Sequence, residues 1–172
     1  MRLGGSTKVG NSTAKKTNPA QAVLASWNRL KDRPGGRWLF NKMLGRMIPY
    51  TGSIGAQVEE LVPGRARVVL KDRKAVRNHL RSIHAVALAN LGELATGLAT
   101  TTCFTSGTRG ILTGIGVEYH KKARGLLVAE CSFEAPAKLD GPTPMDVQTH
   151  IKDGAGDVVA TVTATWLFEE ME

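Results

Sequence analysis

The chain has 172 residues, 42% of them hydrophobic, a formal net charge of +8 and two cysteines. That is enough chain for one domain with its own core, and no apolar run is long and clean enough to span a bilayer. The start lacks the apolar stretch of a secretory signal. Cys103 and Cys131 show no metal-ligand spacing, so they read as packed, reduced thiols of a cytoplasmic protein without a metal.

Residues 1–20 carry Arg2, Lys8, Lys15 and Lys16 and no acid, and the remaining +4 reads as spread over the other 152 residues. The first 18 residues are rich in Gly, Ser, Thr and Lys and too poor in apolar surface to fold alone. They are expected to form a disordered basic arm ahead of a single domain over 19–172. With no RNP-type aromatic motif and no zinc-finger spacing, the basicity does not point to nucleic acid.

In chain order, "NPAQAVLASWNRLKD" predicts a helix, with Asn18 as N-cap and Pro19 in the first turn. "RPGG" breaks it. "RWLFNKMLGRMIP" then places Phe40, Met43, Leu44 and Met47 at helical spacing, with Arg37, Lys42 and Arg46 among them. That mixture suits a helix over a core or pocket, and also a helix on a membrane surface. Pro49 is expected to end it. "SIGAQVEELV" and "RARVVLK" flank Pro63-Gly64 and predict a hairpin. A long helix starts at about His84. The strands "ILTGIGVEYHKKA", "GLLVAECSFEA", "PMDVQTHIKD" and "DVVATVTATWLF" follow, the last two joined through Asp153-Gly154 and Gly156-Asp157. Two helices, two strands, one long helix and four strands define an α+β domain, an antiparallel sheet with one main helix against it.

The long helix is apolar nearly all round, which marks it as buried. Asn90, Glu93, Gly97 and Thr100 form its narrow polar stripe at i, i+3 and i+4 spacing. Glu93 is the one charge on it. Burying an ionised carboxylate costs several kcal/mol unless it is paired or used. Glu93 is therefore either a functional group or one half of an ion pair at a subunit seam. At the helix start the backbone N–H groups lack internal partners and the dipole favours negative charge. The N–H of Ala85 there suits a developing oxyanion, and His84 suits a cap.

Asn78, Ser82-Ile83-His84-Ala85-Val86 and Glu93, with "TGIGVEYHKKARGLLVAECSF" and "VQTHIKDGAGDVVATVTATWLF" after them, resemble the hotdog-fold acyl-CoA thioesterases. The likeness is to the phenylacetate-pathway type and to relatives grouped as a domain of unknown function, and it covers roughly residues 35–168. The resemblance implies a curved antiparallel sheet wrapped round the long helix. It also implies a homodimer or a tetramer built from dimers, with sites at the subunit interface. By resemblance, Glu93 is the general base or nucleophile and Asn78 orients water or the thioester. Ala85 supplies the oxyanion-hole N–H with His84 beside it, and Thr113 supports the carboxylate. Glu93 and the 78–85 loop are expected to come from opposite subunits. Many relatives have Gly-Gly where this chain has Ala85-Val86, and Glu93 stands where Asp is common.

A thioester needs a base and an oxyanion hole but no metal, so the leading expectation is hydrolysis of an acyl-CoA substrate without a cofactor. Lys121, Lys122 and Arg124, at a strand-end turn, then suit coenzyme A phosphates. A hydratase or dehydratase pairing His79 with Glu93 is a second reading, although Leu80-Arg81-Ser82 replaces the expected Phe-Pro-Gly. A non-catalytic acyl or acyl-CoA binder is a third.

Overall fold

The computed structural model describes residues 19–104 and 107–170, so the basic arm lies outside the described residues. Three helices come first: α1 (Pro19–Leu30), α2 (Gly36–Met47) and α3 (Pro49–Ile54). The hairpin β1 (Gln57–Val62) and β2 (Arg65–Leu70) follows, then a short 3-10 turn and the long helix α4 (Ala85–Thr101). The chain closes with β3 (Thr108–Tyr119), β4 (Leu127–Ser132), β5 (Thr143–Lys152) and β6 (Val158–Glu170). All strand pairs are antiparallel, in the order β1-β2-β4-β5-β6-β3. With α4 packed against every strand, this is the hotdog fold.

Alternation explains the inner face. Leu127, Ala129 and Cys131 of β4 and Val147, Thr149 and Ile151 of β5 turn inward, and the residues between them face outward. The α4 side chains Leu88, Leu91, Leu94, Ala95 and Leu98 close the core from the other side. Helix and sheet approach closely at Gly92, where an added Cβ would collide with Val162. At the N-terminal layer, Trp27 of α1 meets Phe40 of α2 edge to face at 5.0 Å between centroids.

One local expectation is overturned. α2 ends at Met47, just before Pro49, as expected, but Ser53 and Ile54 do not open a strand: a further short helix begins at Pro49. Proline at the first position starts α3, where its missing N–H would have had no partner, and Gly55 ends α3 with φ 65°.

The two edges of the sheet differ. Asn41 of α2 accepts a hydrogen bond from the Val58 N–H (2.7 Å) and donates one to the Val58 carbonyl (3.2 Å), imitating a neighbouring strand at β1. The other edge, β3, is twelve residues long and leaves Ile111, Ile115 and Tyr119 exposed. Such an edge is a template for further pairing.

Gly92→Ala should overpack the helix–sheet contact. The expected loss is about 1–3 kcal/mol, read as a lower midpoint in guanidinium denaturation with an unchanged m-value.

Candidate functional site

Helix α4 presents Glu93 to a cavity of about 410 Å³ enclosed by the N-terminal helices, α4, the start of β3 and Trp166 of β6. Its volume is in the range of small-molecule sites. Val23, Leu44, Met47, Leu98, Phe104 and Trp166 make its wall largely apolar. Gly97, one turn after Glu93, keeps this flank open. A Cβ there would lie 3.1 Å from the Trp166 ring and 3.9 Å from Glu93 Oε1. The indole is held in place by its Nε1–H, which donates to Thr96 Oγ1 at 3.3 Å.

The Glu93 carboxylate forms no ion pair or hydrogen bond among the described residues. Arg109, the basic residue of the cavity wall, is paired with Glu169 at 2.7 Å. Half-buried and unpartnered, Glu93 has its pKa pushed up from the ordinary carboxylate value by desolvation. A carboxylate with raised proton affinity beside an apolar cavity suits proton abstraction.

The polar stripe is shifted from its expected course. Thr100 turns inward and donates to the Thr96 carbonyl at 2.8 Å, and Thr101 takes the place at the cavity. Asn90 is buried one turn before Glu93, with neither amide atom hydrogen-bonded among the described residues. A buried polar group left so costs about 1–3 kcal/mol.

The helix entrance is a separate construction. Asn78 Oδ1 accepts from the Leu80 N–H (2.9 Å), the Ser82 N–H (3.2 Å) and the Ser82 hydroxyl (3.2 Å). This ties the loop into a compact turn in which Arg81 takes φ 56°, an unfavourable conformation for a residue with a side chain. His84 is the N-cap, and its Nδ1 accepts from the Val86 N–H at 3.1 Å. Nδ1 is thus the acceptor nitrogen, which leaves Nε2 as the ring position for the N–H. The His84 carbonyl takes the N–H groups of Ala87 and Leu88. Of the first four helical donors, the Ala85 N–H is the one left without a partner among the described residues. The Tyr119 hydroxyl donates to the Ala85 carbonyl at 3.2 Å and anchors this turn to the end of β3. Val86 points outward and does not cover the free N–H group's turn with a packed side chain.

One chain does not bring the two halves together. Glu93 lies eight positions beyond Ala85, about 12 Å along the helix axis at ~1.5 Å per residue. Thr113 sits at the bulge in β3, and its hydroxyl donates to the Thr165 carbonyl at 3.1 Å rather than to Glu93. His79 is exposed on the loop, with no recorded bond to Glu93. Lys121 is held by Asp153 (2.7 Å) and Asp157 (2.6 Å), which raises its pKa through those hydrogen bonds. Lys122 and Arg124 are exposed and form no salt bridge among the described residues. Val23, Phe104 and Trp166 of the cavity come from distant parts of the chain, and no local motif marks them.

The fold and site define a hotdog protein with a carboxylate on its central helix. The chain belongs to the family described as a domain of unknown function, DUF4442, which matches residues 36–168. Among solved structures it is similar to a structural-genomics protein at 30% identity and a TM-score of 0.75, covering 86% of this chain and 97% of that one. A Pseudomonas aeruginosa protein of unknown function, described as a probable thioesterase, is 24% identical with a TM-score of 0.69, over 76% and 93% of the two chains. A mutant of the phenylacetic acid degradation protein PaaI from Thermus thermophilus shares the fold at 19% identity and a TM-score of 0.59, over 69% and 97%. No curated protein matches the chain. No helix among the described residues is long and apolar enough to cross a membrane.

Because burial raises the folded pKa of Glu93, the unfolded chain loses this proton first as pH rises. Its effect on stability is therefore most favourable below the unfolded value of about 4.3 and is lost as pH climbs through the folded value. Glu93→Gln should raise Tm at about pH 8 and give no gain near pH 4. Calorimetry at the two pH values checks this.

Proposed function

We propose that the protein hydrolyses acyl thioesters of coenzyme A at sites shared between two copies of the chain. The reading rests on Glu93, a half-buried carboxylate without an ion-pair partner among the described residues, on the wall of an apolar cavity that suits an acyl chain. Hotdog neighbours described as thioesterases support the same class of chemistry.

In this mechanism Glu93 takes a proton from water as the oxygen attacks the thioester carbon. The carbonyl becomes an oxyanion on the Ala85 N–H of the second copy, at the positive end of α4. Asn78 of that copy keeps Oδ1 in its turn and offers the amide N–H₂ to water or the carbonyl. Collapse of the tetrahedral intermediate breaks the C–S bond, and the proton held by Glu93 passes to the departing thiolate. Direct attack by Glu93 to give a mixed anhydride, then hydrolysed, is the covalent variant of the same scheme. Lys122 and Arg124, which form no salt bridge among the described residues, rather than the doubly paired Lys121, are the cations for the coenzyme A phosphates. Two copies are needed because ~12 Å of helix separates base from oxyanion donor within one.

Glu93→Gln keeps shape and hydrogen bonding but removes the base. Turnover of an acyl-CoA panel, followed with a thiol dye, should fall by about 10²–10⁴-fold while acyl-CoA binding persists. Unchanged turnover together with lower stability would instead make Glu93 half of a seam ion pair. Binding without turnover in the unmodified protein would make it an acyl-CoA carrier.

The shared site has its own test. Asn78→Asp retains the turn acceptor and removes the N–H₂ donor. When this variant and Glu93→Gln, each inactive alone, exchange subunits, about a quarter of the unmodified activity should return, since one of two sites in each mixed dimer is intact. No recovery after exchange verified by mass spectrometry would place all catalytic groups in one copy.

A further inference from the structure

The charge is not spread over the domain as the sequence suggested. Residues 19–56, which build α1, α2 and α3, hold Arg29, Lys31, Arg33, Arg37, Lys42 and Arg46 against Asp32 alone, a balance of +5. Residues 57–172 hold 13 basic and 14 acidic residues, a balance of −1. None of these six cations, four on the helices and two in the turn between α1 and α2, forms a salt bridge among the described residues, whereas Arg65, Arg67, Arg77, Arg109, Lys121 and Lys138, six of the body's 13, do. Lys42 lies instead over the Trp38 ring, 4.7 Å from its centroid.

The same layer exposes large apolar side chains. Phe40 and Leu44 of α2 point into the core, so Trp38, Leu39, Lys42, Met43 and Arg46 fall on its outer face. Trp38 is 63% exposed, Met43 45% and Met47 57%. Exposed apolar residues scattered singly need no explanation, but a tryptophan, a leucine and two methionines sharing one helix with unpaired cations do.

We infer that the outer face of α2 docks on the surface of an anionic phospholipid bilayer. Trp38, Leu39 and Met43 enter the headgroup boundary, and Lys42 and Arg46 lay their stems along it and carry their charges to lipid phosphates. The choice of occupant follows from the charge. A second copy of this layer would set +5 against +5, and a neutral apolar partner would leave that charge without a counter-charge. Met47 and Ile48 also line the Glu93 cavity, so its mouth opens beside the docked face. The docking itself does not depend on the thioesterase reading.

The test is co-sedimentation of the full chain with vesicles of phosphatidylcholine alone and of phosphatidylcholine with phosphatidylglycerol. Binding is expected only with phosphatidylglycerol and should be lost as salt rises from about 0.1 to 0.5 M, as the screening length shrinks. The double variant Lys42→Glu/Arg46→Glu should lower the partition coefficient by more than about tenfold, and Trp38→Ser should lower it with Tm unchanged. Equal partition onto both vesicles, or none onto either, overturns the proposal. Full binding by the charge-reversed variant also overturns it and moves the interaction to residues 1–18. A Trp38→Ser variant that loses assembly mass in sedimentation, with no vesicle binding by the unmodified chain, assigns the face to a second copy instead.

Discussion

The structure depends on desolvating one helix. α4 lies against every strand, and its contact with the sheet is close enough that Gly92 has no room for a methyl group beside Val162. Nearly the whole circumference of the helix is thereby withdrawn from water, and the stripe left uncovered has to accommodate its one carboxylate. Glu93 stays half-buried because Gly97 leaves space beside it and Trp166, pinned to Thr96, forms the wall opposite. The packing that stabilises the domain is therefore also what raises the proton affinity of Glu93. Changes in that packing should alter stability and the site together.

Much of this was legible in the sequence because it follows from period and turn chemistry. The 3.6-residue pattern of α4, the alternation in β4 and β5, and the Asp153 to Asp157 turn each have one good local solution, and the chain takes it. Glu93 stood out because a single charge interrupted an apolar run. What was not legible depends on partners distant in the chain. Pro49 follows the end of α2 and also opens α3, and the second helix depends on the packing of α3 against α2. Thr100 and Thr101 differ by about 100° round the helix, which is too little for a pattern to tell wall from core. Val23, Phe104 and Trp166 meet at the cavity only because β6 and α1 fold back over α4.

The helix entrance shows how little of such a loop is spent on a ligand. Asn78 devotes its acceptor to Leu80 and Ser82, and His84 devotes one ring nitrogen to Val86. Among the described residues, those bonds leave the Ala85 N–H as the spare donor. A histidine and an asparagine that look catalytic in the sequence act first as scaffolding, and a backbone group with no sequence signature is what the scaffolding presents. The turn also holds Arg81 at a positive φ, so its order comes from these side-chain bonds together with the backbone bonds between Asn78 and Ser82 and between Arg81 and Asn78, rather than from local preference.

The unequal sheet edges bear on how far such a molecule can polymerise. At β1 the Asn41 amide already occupies the backbone of Val58 as a strand would, so an incoming chain finds that position taken. At β3 the twelve-residue edge is bare among the described residues. If two copies join there by a two-fold axis, each consumes the other's open edge, and the merged sheet presents only its blunted β1 ends. Growth then terminates after a single addition. In such a pairing the Asn41 amide is the chain stopper that separates a finite assembly from a fibre.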